Sequence, residues 1–467
     1  MINTNLLEIE NDEKILEYTD SKNTPIWMFM RRPVLYNIMQ SKLLGANVLF
    51  SSRKNSSRAI KYILMSSLQN IKYSRFTNDE RQIMFYTMSR GEMRDGKFVN
   101  QYTDDIALSS VLNSITIEHP PCDWGWIKKR ANYDVLYNAM NLSISFLRRK
   151  ISKEECNSID SLLDIICYRL KEFYNIILTQ GEIDNLRLTT IKEMHAMNSH
   201  AIWVNNIACK YKVKVAIFVG SSYSRNYPII RALKERGIVT VDLQHGFLTK
   251  NNTVYNYAES IRDNPIIKDG TPNYFLAYGK WWMSQTNMPF DSTYIIGNPY
   301  RERKVQSYIY KRPRNKIVLI GCANNTKSYI DLANNISKIT TTYEVIFRPH
   351  PTERETVKSI SNSCQLFFKL DLDTDLYRLF EETEVIISEI STVLFESVGL
   401  VPRRLVWRTK FSVYNLPDCP FETFCNIEEL NDKISKKRDN IKIVSDEDIW
   451  SKEWKANFDY FLQDVLS

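Results

Sequence analysis

The sequence lacks the short signatures that mark several large enzyme classes. It has no GxxxxGK(S/T) loop, which excludes a P-loop NTPase. GxGxxG is missing, which argues against dinucleotide redox chemistry, and without GxSxG there is no nucleophile elbow of the usual hydrolase kind. No apolar run approaches the ~20 residues that cross a bilayer. The opening MINTNLLEIENDEK is too acidic and polar for a secretory signal. The eight cysteines, at 122, 156, 167, 209, 322, 364, 419 and 425, form no CxxC pair and never meet a histidine at ligand spacing. They are expected as reduced core thiols of a cytosolic chain, with no structural zinc.

What is present fits a globular protein of two large domains. Of 467 residues, 43% are hydrophobic and 25% charged. Lys+Arg 62 against Asp+Glu 54 leaves +8, spread along the chain. That pattern suits an anionic ligand or a membrane surface and not a dedicated nucleic-acid protein. Trp27, Trp450 and Trp454 could dock on an anionic inner membrane or simply close the core.

Residues 1–210 read mainly as helix. Apolar residues recur at three- and four-residue intervals over 132–149 and again over 160–178, where Asp160 and Ser161 are candidate caps. The Pro-Pro pair in EHPPCDWGW marks a break at which Trp124 and Trp126 should pack. From 212 the pattern changes. VKVAIFVG (213–220), a polar loop, a helix closed by Gly237 and IVTVDLQHG (238–246) make a βαβ unit, whose ligand loops lie at the carboxyl ends of the strands. YFLAYG and TYIIGNP supply two more strands. YIYKRPRNK (308–316) is the basic linker, after which KIVLIGCA, YEVIFRPHP, the strand beginning EVII and a last strand RRLVWRT alternate with helices. The expected fold is α/β: two Rossmann-like domains facing a cleft, with a helical N-terminal region. Their divisions fall at 1–210, 211–307 and 316–445, and a helix at 446–467 crosses back to the first domain.

Two of the five histidines end predicted parallel strands, His245 in LQHGF and His350 in FRPHP, where open α/β sheets bind ligands. His119, His195 and His200 read as packed or surface residues. SEISTVLFE runs from a buried strand through Ser388 into Ser391-Thr392 at a helix start. This is either an ordinary cap or an anion site, with Glu396 one turn further on the same face. Gly220-Ser221-Ser222, Gly297-Asn298 and Gly321 are further loops at strand ends, readable as plain turns or as cleft loops. Asp371, Asp373 and Asp375 have DxD spacing, but Asp373 or Thr374 is more simply the cap of the helix that follows, and no metal site is called for.

Taken in order, Gln244-His245-Gly246, Gly297-Asn298-Pro299, Arg348-Pro349-His350-Pro351 and Ser388 to Glu396 resemble bacterial surface-polysaccharide transferases of the GT-B fold. That group includes capsule Kdo transferases, HP-motif sialyl- and polysialyltransferases, and CDP-glycerol glycerophosphotransferases. The likeness covers about 213–410. It implies that the C-terminal domain binds a nucleotide-activated sugar, with no cofactor. His350, Arg348 and Pro351 would lie at the donor phosphate, Ser388, Ser391 and Thr392 at the phosphate or nucleotide, and Glu396 at the ribose. His245 would face them as general base, with Asp242 as the alternative, and residues 1–210 would meet a glycan or lipid-linked glycan acceptor. The glycerophosphotransferases carry Trp-His-Gly where this chain has Gln244-His245-Gly246, and an Asp where it has Glu389, which favours a CMP-sugar donor. A glycerophosphotransferase, a nucleotide-sugar 2-epimerase and a non-catalytic binding protein remain alternatives.

Overall fold

The computed structural model describes residues 5–45, 56–77, 79–147, 151–221, 223–312, 314–322, 325–363, 365–435 and 444–467. The strands in chain order are β1 (Ile83–Met88), β2 (Gly91–Arg94), β3 (Lys97–Asn100), β4 (Ser114–His119), β5 (Val135–Tyr137), β6 (Val215–Val219), β7 (Val239–Leu243), β8 (Tyr274–Ala277) and β9 (Ser292–Ile295). They continue with β10 (Lys316–Ile320), β11 (Glu344–Arg348), β12 (Lys369–Leu370), β13 (Thr383–Ser388), β14 (Arg403–Trp407) and β15 (Glu422–Phe424).

Among the described residues β2 and β3 form a separate antiparallel pair, and the other strands form two large sheets, each with only parallel pairings. The first has seven strands in the order β5-β4-β1-β6-β7-β8-β9, and the second has six in the order β12-β11-β10-β13-β14-β15. Runs such as Val215–Val219 are buried at every position. A parallel strand covered by helices on both faces must be apolar on both. The crossovers put every following loop on the carboxyl edge of its sheet.

The expectation of helix through 1–210 fails over 83–137. β1, β4 and β5 belong to the same sheet as β6 to β9, with Ile83 in register with Val215. Their apolar runs are short and separated by long polar connections, so their pattern is overshadowed by the helices around them. The periodic stretch 132–149 begins as β5 and becomes helix at Ala139–Leu147. The next helix spans Lys153–Tyr174 and is capped by Ser152 in a reciprocal pair with Glu155, so Asp160 and Ser161 lie inside it. RRLVWRT is not the last strand, since β15 follows it.

The linker is held to the second domain. Tyr308 donates to the carbonyls of Phe380 and Leu400, and Lys311 pairs with Glu381 and Glu382, which explains its basic character. The expected helix 446–467 is two, Asp446–Ile449 and Trp454–Leu466, and Phe458, Phe461 and Leu462 of the second pack with Ile83, Phe85 and Val215 of the first sheet. An apolar cluster of Phe275, Trp282, Leu394, Phe395 and Trp450 joins the two domains behind the cleft. Trp27 and Trp450 are therefore core residues and offer nothing to a membrane. The cysteines divide otherwise than expected: Cys122, Cys209 and Cys425 are exposed, and Cys364 lies outside the described residues.

A buried ion pair anchors the N-terminal segment. Arg31 bonds Glu10 and the carbonyls of Thr253 and Asn256, and Glu10 also accepts from the Trp27 indole and the Ala258 N–H. The loop that leaves His245 is thus fastened by residues more than two hundred positions earlier.

Candidate functional site

The carboxyl edges of the two sheets face one cavity of about 320 Å³, within the range of small-molecule sites. His245 and Gly246 after β7 line it from the first domain. Gly321 after β10, Arg348, His350 and Pro351 around the end of β11, and Ser391, Thr392 and Glu396 after β13 line it from the second. The loops nearly touch: a Cβ on Gly246 would lie 4.0 Å from the Thr392 methyl carbon.

His245 is half-buried. Its Nδ1 lies 3.2 Å from the Tyr255 hydroxyl, and the rings of Tyr102, Tyr223 and Tyr255 stand about it at 6.0 to 6.2 Å. Burial, reinforced by the Arg90 guanidinium, lowers its pKa to about 4. The ring is therefore neutral at pH 7. Gln244 is sealed beneath it and fixes the turn, accepting from Tyr278 N at 2.8 Å and donating to the Gly246 carbonyl at 3.0 Å. Asp242 is fully buried and accepts from Ser221 N. It does not line the cavity, and it braces the turn at Gly220-Ser221. Gly220, at φ +85°, leaves room for both rings: a Cβ there would lie 2.8 Å from the Tyr223 ring and 3.5 Å from that of His245. Ser222 lies outside the described residues.

His350 opens the 3-10 turn Pro351–Glu353. Its Nδ1 lies 2.7 Å from the Thr352 hydroxyl and 3.3 Å from Thr352 N, so that nitrogen is engaged within the turn and Nε2 is the one left for a ligand. Burial lowers its pKa, Arg90 and Arg354 add to that, and Glu353 opposes it. Glu353 is buried, accepts from His350 N at 2.9 Å and lies against Gly321, where a Cβ would come within 2.7 Å of its Oε2. Glycine is needed there for close approach. Arg348 lines the cavity, but its charge is met by Asp371 and the Thr374 carbonyl. Asp371 is thereby engaged, and the helix Leu376–Glu381 is capped by Asp375, not by Asp373 or Thr374.

Ser391 caps the short helix Thr392–Glu396 through Val393 N, while the Thr392 side chain is exposed to the cavity. Ser388 is buried, donates to the Ile320 carbonyl, and holds β13 to β10 without reaching the cavity. Burial raises the pKa of Glu396, against Arg90, Arg301, Tyr377 and Thr392. Asn298 lines the cavity and caps the helix Pro299–Gln306. Gly297, at φ +81°, makes room for the Ser451 carbonyl.

Sequence reasoning missed Arg90, Tyr102, Arg301, Arg354, Tyr377 and Trp450, all of which line the cavity. Arg90 matters most, because its charge reaches His245, His350 and Glu396 together. It follows β1, and the hairpin of β2 and β3 brings its carbonyl back to Gln101 N. The available signal was IMFYTMSRG, a buried strand running into Arg-Gly. Gly91 is needed because a Cβ there would meet the Val99 carbonyl.

Two parallel Rossmann-like domains facing one cavity, with the last helix returned to the first domain, define a GT-B fold. No protein-family model matches the chain, and no curated protein matches it. Among solved structures it is similar to UDP-GlcNAc 2-epimerase from Methanocaldococcus jannaschii, at 11% identity over 82% of this chain and 99% of that one, with a TM-score of 0.46. It is similar to UDP-N-acetylglucosamine 2-epimerase from Rickettsia bellii, at 12% identity over 83% and 96%, with a TM-score of 0.45. A third is the wall teichoic acid polymerase TagF, at 12% identity over 88% and 96%, with a TM-score of 0.41. Identity at this level leaves activity to the cleft's own residues.

Proposed function

We propose that this protein is a glycosyltransferase that moves a sugar from a nucleotide-activated donor to a surface-polysaccharide acceptor, with inversion and without a required metal. One observation carries the reading. Two imidazoles, the neutral His245 ring from one domain and the His350 ring from the other, line the same cavity, which Arg90 and Arg354 make cationic.

In the proposed reaction the acceptor hydroxyl oxygen bonds to the anomeric carbon as the carbon–oxygen bond to the donor phosphate breaks. His245 takes the hydroxyl proton, and the electron pair of the broken bond leaves on the phosphate. His350, Arg90, Arg354 and the Thr392 hydroxyl stabilise that charge, and Glu396 holds the ribose. An imidazole with a pKa of about 4 is a weak base. Donor phosphate beside Arg90 offsets the cation that depresses it and strengthens the base only when substrate is bound. A single displacement inverts the anomeric centre. The Gln244-His245-Gly246 and Glu389 departures support a CMP-activated sialic acid or Kdo donor over CDP-glycerol, and a glycan or lipid-linked glycan acceptor would approach from the first domain.

The test is a thermal-shift panel of CMP, CDP, UDP and GDP with and without divalent metal, followed by product analysis of the stabilising donor. Selective stabilisation by CMP and acceptor-dependent release of nucleotide support the reading. A changed nucleotide sugar formed without acceptor would replace it with epimerisation. Binding without turnover would leave a binding module.

A further inference from the structure

Helix Ser56–Phe76 is built the wrong way round for a core helix. Apart from Ile63, which packs partly buried on the Tyr62 cluster, its inward positions are polar or aromatic. Tyr62 packs on Trp124, Trp126 and Tyr137, Ser66 and Tyr73 are buried, and Asn70 bonds both the N–H and the carbonyl of Tyr137, closing the edge of β5. The other aliphatic residues face solvent instead. Ile60, Leu64, Leu68 and Ile71 are 60%, 57%, 62% and 52% exposed. Their spacing of four, four and three puts them in one stripe along the helix. None of them is needed to seat the helix, and an exposed aliphatic stripe of this size marks an interaction surface.

Charge selects the partner. The helix carries Arg58, Lys61, Lys72 and Arg75 and not one acidic residue. Lys61 and Lys72 each stand one residue, about 100°, beyond Ile60 and Ile71, so they flank the stripe on the same side. Ile144 of the neighbouring helix Ala139–Leu147 is exposed as well. A second copy of the same helix would bring like charges together across the stripe. A nucleic acid would meet the cations but leave the aliphatic residues in water. A phospholipid surface answers both features: acyl chains take the stripe, and anionic headgroups take the lysines.

We propose that helix Ser56–Phe76 is an interfacial docking surface for an anionic lipid bilayer, lying in the membrane plane with Ile60, Leu64, Leu68 and Ile71 inserted. This does not rest on the transferase reading and needs no nucleotide or acceptor to test.

The experiment is flotation of the full chain with vesicles of phosphatidylcholine alone or with phosphatidylglycerol, across a salt series. The protein should float with the phosphatidylglycerol vesicles, less so as salt rises, and stay behind with phosphatidylcholine. Leu64→Glu with Leu68→Glu should abolish flotation. Lys61→Ala with Lys72→Ala should weaken it about thirtyfold, at roughly a factor of five per basic residue. All four sites are exposed, and an unchanged melting temperature shows that each variant is folded. Wild-type protein that ignores phosphatidylglycerol vesicles overturns the proposal. So does a glutamate variant that floats as well as wild type, or a dimer in light scattering that the glutamate variant dissociates while no vesicle binding is seen.

Discussion

Arg90 and His245 stand at the carboxyl ends of β1 and β7 in one sheet, and the guanidinium reinforces the burial that holds the imidazole at about pKa 4. Arg90→Gln removes the cation but not the burial. The His245 resonance should then titrate above 4 and still below the ordinary 6.5, followed by NMR of the folded protein. An unmoved titration would mean that the two side chains do not feel each other.

His350→Ala removes the imidazole at the proposed phosphate position. Nucleotide affinity should fall about tenfold to a hundredfold by calorimetry, the usual worth of one hydrogen bond to a charged group. His245→Ala should leave that affinity within a few-fold and lower turnover by about 10² to 10⁴. If calorimetry found the His350 variant unimpaired, the donor would have to be placed elsewhere in the cleft.

Gly321→Ala adds one methyl group 2.7 Å from Glu353 Oε2 and 3.1 Å from His350 N. The His350 turn has to shift, at about 1–3 kcal/mol in stability. Nucleotide affinity should drop although no polar cleft side chain has changed. Gly181, with open space at its Cβ position, is the control substitution.

Stability should weaken in mild acid. Burial lowers His200 to about 3, with Arg225 adding, and His245 to about 4, so both bind protons less readily folded than unfolded, where the pKa is about 6.5. Their contribution is complete above pH 6.5 and is lost as pH falls through the folded values. For fully buried His200 this amounts to about 4 kcal/mol by pH 3. Melting temperatures between pH 7 and 4 should decline, and a flat profile would show that both rings protonate freely in the fold.

Breaking the pair that ties the N-terminal segment to the loop after His245 should cost far more than a surface change. Glu10→Gln leaves the Arg31 guanidinium buried without its carboxylate, at about 3–5 kcal/mol in denaturant unfolding. A loss below 1 kcal/mol would indicate that Arg31 finds other partners.

Much of the cleft was legible in the chain. The strands ending in His245, Asn298, Gly321, His350 and Ser391 are short apolar runs closed by Gly, Pro or His, and a parallel sheet must carry its ligand loops there. Arg90 was not legible, because β1 is separated by about 127 residues from β6, the partner that makes it central. Ser388, Gln244 and Asp242 were placed on the right loops but not at the right depth. Strand alternation assigns a face, whereas burial depends on what the opposite elements cover.

From residue 212 on, most of the order of strands, helices and turns, and much of the chemistry at their carboxyl ends, follow from local patterns that a window of the sequence carries. The pairing of β1 with β6 and the convergence of Arg90, His245 and His350 follow from contacts between distant segments. So does the reversal of helix Ser56–Phe76, whose periodicity alone would have sent its isoleucines and leucines inward. Local sequence sets which faces are apolar. Only the closed fold decides which of them are used up in the core and which are left facing outward.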